Sequence, residues 1–263
     1  DVVVEKAIRK RLLSLKPPAI EHEYWLLDQD INWRGVKVDM DLVDAALACN
    51  DEIVDEATES SKILTGLENP NSTMQLKEWL TERLGYEVET MRKEDVSNLL
   101  SQDIPSDVRT VLKNRQVLGN SSIKKYLAMK NAVCSDGRIH GMLQFYGAMR
   151  SGRWAGRVVQ LQNLPRNYLE DLDTAREVLK SRDVEMLDLL YGNPGDVIKQ
   201  LIRTALVAED GHRFIVADFS AIEARVIAWL AREQWRQDVF AQGGDIYCAS
   251  ASSMFHVPVE KHG

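Results

Sequence analysis

Cysteine is scarce and scattered. The three residues, Cys49, Cys134 and Cys248, show neither a metal-ligand spacing nor a paired framework. That excludes a disulfide scaffold and a Cys-rich zinc module, and a reducing, cytoplasmic setting fits. No apolar run approaches the roughly 20 residues that a membrane-spanning helix needs. The opening residues, Asp1 to Lys10, contain neither Met nor an apolar core, so they do not read as a secretory leader. Internal repeats and low-complexity tracts are also missing. What remains is ordinary globular composition: 44% hydrophobic in 263 residues, enough for one large or two ordinary domains.

Positive charge is short overall, with a net charge of −7. Taken alone, this argues against a nucleic-acid partner, because phosphate contacts need Lys and Arg. The distribution reverses the argument. Between Arg109 and Arg166 stand eleven Lys or Arg residues and one acid, Asp136, giving +10 there and −17 elsewhere. Such segregation can place a basic face on an acidic protein. A solvated surface is the competing reading.

Periodicity predicts a mostly helical α+β chain. A charged helix over residues 1–22 breaks at Pro17-Pro18, where proline removes a donor and restricts its neighbour. Asp28 and Asp30, two apart on the following helix, do not share a face and read as exposed helix acids. Asp41 to Thr65 carries Leu42, Ala45, Ala46, Cys49, Ile53 and Ala57 on one side and stops at Gly66. Ser72-x-x-Gln75 reads as a capping box opening a helix through Trp79 and Leu84. A long helical region spans Pro105 to Lys130, with Gly119-Asn120 as its interruption. A strand is expected over Arg138 to Tyr146, two short helices over Tyr168 to Tyr191, and a helix over Val197 to Val207.

The chemistry-bearing stretch is Phe214 to Leu230. Phe214-Ile-Val-Ala217 reads as a short buried strand, with Asp218 at its carboxyl end, where ligands commonly gather in open sheets. Ser220-x-x-Glu223 then reads as a capping box on an amphipathic helix with Ile222, Val226, Trp229 and Leu230 on one face. A rigid acid at such a turn suits a hard cation beside a phosphate, and equally suits a plain turn or cap.

Asp218-Phe-Ser-Ala-Ile-Glu-Ala-Arg225 resembles motif A of the family A DNA polymerases. Ser151-Gly-Arg-Trp-Ala-Gly-Arg-Val-Val-Gln-Leu-Gln-Asn-Leu-Pro165 resembles the same family's Thr-Gly-Arg…Leu-Gln-Asn-Ile-Pro block, in the phage-type flavour. The likeness runs from about Tyr24 to the last residue. It implies a helical thumb plus part of a polymerase palm with a small antiparallel or mixed sheet. In this division, 1–38 leads in from an upstream exonuclease-like domain, 39–137 is thumb, 138–235 is the first part of the palm, and 236–263 opens the fingers.

The resemblance also implies roles. Asp218, with the Phe219 carbonyl, would hold Mg²⁺ in a two-metal phosphoryl-transfer site. Arg153 would reach the minor groove at the primer end, with Gln162 and Asn163 beside the primer-template DNA. Ser72 at the thumb tip, and Ser121, Ser122, Lys124, Lys125 and Tyr126, would lean on the DNA backbone. Ser72 reads equally as a helix cap. Glu223 would close the pocket beside the sugar of an incoming dNTP. Tyr247 stands where the family usually has His, and a phenol has no cationic form, which weakens that phosphate contact. Arg157 is open in role, and Arg225 reads as structural, through an ion pair. The Tyr168 to Tyr191 stretch has the look of a phage-type insertion.

The expected function is DNA-directed DNA polymerase in replication, in the host cytoplasm if phage-type. Neither the family's later His-Asp-Glu motif nor the fingers helix with its triphosphate-binding Lys occurs before His262-Gly263. The chain therefore reads as a part of a polymerase that would not extend primers alone. The rival readings are a non-catalytic DNA-binding module and a metal-dependent nuclease. No acidic cluster for the nuclease can be assembled around Asp218. Nothing in the sequence points to a particular processivity or replisome partner.

Overall fold

The computed structural model describes residues 1–119 and 122–260, and the chain divides into two compact units, Asp1–His212 and the residues from Arg213 onward. It is mostly helical, as the periodicity predicts, with small antiparallel sheets of the kind the resemblance implies. No described helix is long and apolar enough to cross a membrane.

In the first unit, α1 (Val2–Leu12) and α2 (Ala19–Arg34) flank the Pro17-Pro18 break, and α1 buries none of its residues. β1 (Val36–Val38) leads through Asp39 into α3 (Met40–Thr65), the longest helix. Asp39 caps it, its Oδ1 accepting from the Leu42 amide at 3.1 Å, and Gly66, at φ 70°, ends it in the left-handed region that costs glycine least. α4 (Thr73–Leu84), α5 (Lys93–Leu100) and α6 (Ser106–Leu118) close a satellite core of Leu76, Leu80, Val96, Val108 and Leu112. Ser72 occupies the N-cap position of α4 as expected, but its side chain makes no cap bond.

The long helical run is split into α6 and α7 (Ile123–Ala132), and Asn120 and Ser121 lie outside the described residues. Tyr126 of α7 does not face a partner. It is fully buried, burial pushes its phenol pKa up, and its hydroxyl donates to the Ile198 carbonyl at 2.8 Å. The helical spacing puts Tyr126 and Met129 on one stripe against α3, which explains why its neighbours cannot bring it to a DNA backbone.

Next come β2 (Arg138–Ile139), β3 (Leu143–Ala148) and β4 (Arg153–Gly156). Then follow α8 (Leu172–Lys180), α9 (Val184–Tyr191), α10 (Pro194–Gln200), a 3-10 turn at Leu201–Ala205 and β5 (Leu206–Val207). The helix expected to run to Val207 thus tightens and ends as a strand. β1 is the centre of a three-stranded antiparallel sheet, pairing Val36 with Ile139 and Lys37 with Val207. The main core gathers Leu42, Ala46 and Cys49 of α3 with Met129, Leu179, Ile198 and Ile202. The two helices at 172–191 form as expected. α8 is tied to the start of α3, because Asp39 Oδ2 meets Arg176 Nη2 at 2.6 Å and Lys180 Nζ at 2.8 Å.

The second unit contains α11 (Ile222–Leu230), α12 (Gln234–Ala241) and α13 (Ile246–Phe255), packed around Ala228, Phe240 and Ile246. Two expectations are corrected here. Phe214 to Ala217 is not a strand, and Val216 is 91% exposed. Its apolar, β-branched composition suits a ladder, but a strand exists only by pairing. No ladder forms with it among the described residues. Ser220 is also not the N-cap of the helix. α11 starts later, with Ala221 at the N-cap, φ 52°, and no side-chain cap.

Candidate nucleic-acid interface

The Gly-Arg-Trp-Ala-Gly-Arg block folds as the second strand of the β3–β4 hairpin. Its turn closes through Ser151 and Gly152 amides donating to the Ala148 carbonyl at 3.0 and 2.9 Å, with Gly152 at φ 68°. The ladder pairs Leu143 with Gly156 and Gln144 with Ala155, is interrupted by a bulge, and resumes at Ala148 with Arg153. Tyr146 sits in the bulge at φ 54°. A bulge re-aims side chains, and here it leaves Arg153 exposed at the turn end of β4.

Gly156 is buried, and a Cβ there would fall 2.0 Å from Gln162 Oε1 and 2.9 Å from Gln160 Cα. Gln162, in the 3-10 turn Leu161–Asn163, therefore lies directly over the strand. Asn163 donates from Nδ2 to Gln160 Oε1 at 3.3 Å. Arg157 donates to the Gln144 side chain and to the Gly156 carbonyl, so it braces the hairpin. The hairpin and the turn bring Arg153, Gln162 and Asn163 into one local assembly, and all three are exposed. Gly156→Ala is expected to cost about 1–3 kcal/mol, as overpacking does. Thermal unfolding of the variant measures it; an unchanged midpoint would show that Gln162 moves aside freely.

The basic residues divide by what holds them. Lys130 pairs with Asp44 at 2.7 Å and Arg138 pairs with Glu209, so those two charges are neutralised. Lys125 donates to the Val159 carbonyl at 2.8 Å, and Arg109 to the Leu100 and Gln102 carbonyls at 2.7 and 2.8 Å. A carbonyl organises a cation without cancelling its charge, so these still contribute to the field. Lys124 is exposed. His140, whose Nε2 lies 3.0 Å from Asp136, has its pKa raised by that hydrogen bond.

In the second unit, Asp218 and Phe219 are exposed. Glu223 lies in the first turn of α11. Among the described residues, Arg225 makes no ion pair of the kind expected. Its Nε donates to the Ser220 carbonyl at 2.8 Å, and its guanidinium sits 4.4 Å over the Phe240 ring, which fastens α11 to α12. Tyr247 is 77% exposed and so is a surface tyrosine, while its amide and that of Cys248 donate to the Asp245 cap.

Residues 43–263 match the model of DNA polymerase family A. The chain belongs to that family. It is 52% identical over 260 residues to the DNA polymerase of Bacillus phage SP02, covering 99% of this chain and 40% of that protein. It is 38% identical over 87 residues to the thermostable DNA polymerase I of Thermus aquaticus, 33% of this chain and 10% of that one. The POL domain of Pol1 from M. smegmatis, solved in complex with DNA primer-template and dNTP, aligns with a TM-score of 0.53 at 22% identity. That alignment covers 86% of this chain and 36% of that chain, and it supports the fold alone. The chain thus spans about two fifths of the phage relative's length.

Family A polymerases use divalent metals, and the donors found here make an incomplete set. No group of three or more His, Cys, Asp or Glu side chains that could hold a metal is assembled among the described residues. Asp218 is a suitable hard carboxylate, but one carboxylate and a carbonyl fall short of the near-octahedral oxygen set that Mg²⁺ demands.

Sequence reasoning missed Asp28. It is not an exposed helix acid but 4% exposed, accepting from Trp154 Nε1 at 2.9 Å. Spacing within α2 could not reveal this, since the partner lies 126 positions away.

Proposed function

We propose that this chain carries the primer-template grip and the motif A acid of a DNA-directed DNA polymerase that adds dNTPs to a primer 3′ end. One observation carries the reading: the hairpin and following turn present Arg153, Gln162 and Asn163 together and exposed, in a chain of DNA polymerase family A. Arg153 is suited to the minor groove, where A·T and T·A pairs offer the same acceptors and sequence is barely read. Lys124, Lys125 and Ser72 are assigned to the DNA backbone, Lys125 with its ammonium already anchored. Residues 39–137 act as thumb, 138–235 as the first part of the palm, and 236–263 as the opening of the fingers. Asp218 and the Phe219 carbonyl give a partial Mg²⁺ ligand set. Glu223 and Tyr247 face the incoming dNTP.

The test places this sequence within a protein of the phage relative's full length. Asp218→Ala is expected to abolish primer extension while primer-template affinity stays within about twofold, because a single exposed acid adds little to a charge-driven grip. The chain by itself is expected to incorporate no nucleotide. Primer-template binding without any extension by the full-length parent would favour the second reading, a non-catalytic DNA-binding module, whereas extension that persists in Asp218→Ala would refute the catalytic role of Asp218.

A further inference from the structure

Asp28 is a buried carboxylate held by neutral donors. Its Oδ1 accepts from Trp154 Nε1 at 2.9 Å and its Oδ2 from Gln29 Nε2 at 3.2 Å. Burying an acid in this way costs free energy that a neutral residue would not. What the arrangement fixes is the strand beside it. The Trp154 ring also meets Tyr24 and Phe145 edge-on, at 6.1 and 5.4 Å between centroids. Four residues further along α2, the Asn32 side chain accepts from the Leu143 amide at 3.0 Å and donates to the Leu143 carbonyl at 2.9 Å. α2 therefore grips both strands of the hairpin, β3 at Leu143 and β4 at Trp154.

Side chains alternate along a strand, so Trp154 facing α2 turns Arg153 to the opposite face. Arg153 lies beyond the bulge, where the ladder has just resumed and constrains it least. The adjacent Trp154 is anchored from the α2 side. We infer that Asp28 is a positioning residue that, by holding the Trp154 indole, sets the direction in which Arg153 meets the primer-template duplex. This rests on the reading of Arg153 as a DNA contact.

The test is the affinity of the chain for a labelled primer-template duplex at fixed salt, by fluorescence anisotropy. Asp28→Asn and Asp28→Leu remove the same charge, but only Asn keeps an acceptor for Trp154. Charge removal alone would strengthen binding in both. The geometry instead expects Asp28→Leu to weaken binding about tenfold, the scale of one lost contact. Asp28→Asn should stay within about twofold of the parent, since the indole keeps its acceptor. Trp154→Phe, which keeps a ring but loses the N–H, should repeat the Leu result and replaces it if Asp28→Leu does not fold. In an Arg153→Ala background, neither variant should weaken binding further. Full affinity in Asp28→Leu and Trp154→Phe alongside weak binding in Arg153→Ala would overturn the inference and leave the polymerase reading intact. Losses that add to that of Arg153→Ala would also overturn it, showing a general structural role. If Arg153→Ala itself binds normally, both the inference and the DNA assignment of Arg153 fail.

Discussion

The affinity of this chain for a primer-template duplex is expected to fall by roughly two orders of magnitude between about 50 and 200 mM monovalent salt. Lys113, Lys124, Arg150 and Arg166 are exposed and have no hydrogen bond or ion pair among the described residues. Lys130 and Arg138 in the basic stretch are paired with carboxylates. If roughly four cations reach phosphates, counterion release sets a log–log slope near −3.6, about −0.9 for each contact. The acidic remainder of the chain does not cancel this, because a charge beyond a Debye length of about 10 Å is screened. Binding should also be indifferent to sequence, since phosphates carry none. A salt titration of the dissociation constant measures the slope. A value near zero, or unchanged binding when Lys124, Lys125 and Arg153 become Ala together, would refute the basic grip.

Asp39→Ala is expected to destabilise the first unit by about 2–3 kcal/mol, roughly 5–10 °C in Tm. The carboxylate does two jobs at a largely buried position: it caps α3 and receives Arg176 and Lys180 from α8. A lost cap costs about 1 kcal/mol. The rest comes from leaving two partly buried cations without their counter-charge. Burial alone would push the Asp39 pKa up. Lys180, the Leu42 amide and Arg176 outweigh it and hold it below the ordinary carboxylate value. The sign follows from that depression. The contribution is complete above the unfolded value, near pH ~4, and is lost as pH falls through the lower folded value. The gap between parent and Asp39→Ala should therefore be constant near neutrality and close in strong acid. An equal Tm at pH 7 would show that α8 is held by its apolar face alone.

Helix positions were legible because they rest on local chemistry. The α3 stripe of Leu42, Ala46 and Cys49, its Asp39 and Gly66 ends, and the proline break all follow from neighbours within a few residues. Failures came where a partner far along the chain decides. Phe214 to Ala217 has strand composition without a ladder, and Asp28 and Tyr126 are buried by residues 126 and 72 positions away. At the candidate site, motif resemblance pointed to Arg153, Gln162 and Asn163. What only the structure supplied is the brace beneath them: the bulge, Gln162 lying over Gly156, and Trp154 bound to Asp28.

The exposed run from Phe214 to Val216 also bears on how concentrated solutions of this protein behave. An exposed, β-branched segment that joins no described ladder is a template for cross-β self-association. Arg213 and Asp218 bracket it with opposite charges, the arrangement of gatekeepers that slow stacking. Turbidity should consequently rise with protein concentration, and it should rise sooner where salt mutes those two flanking charges.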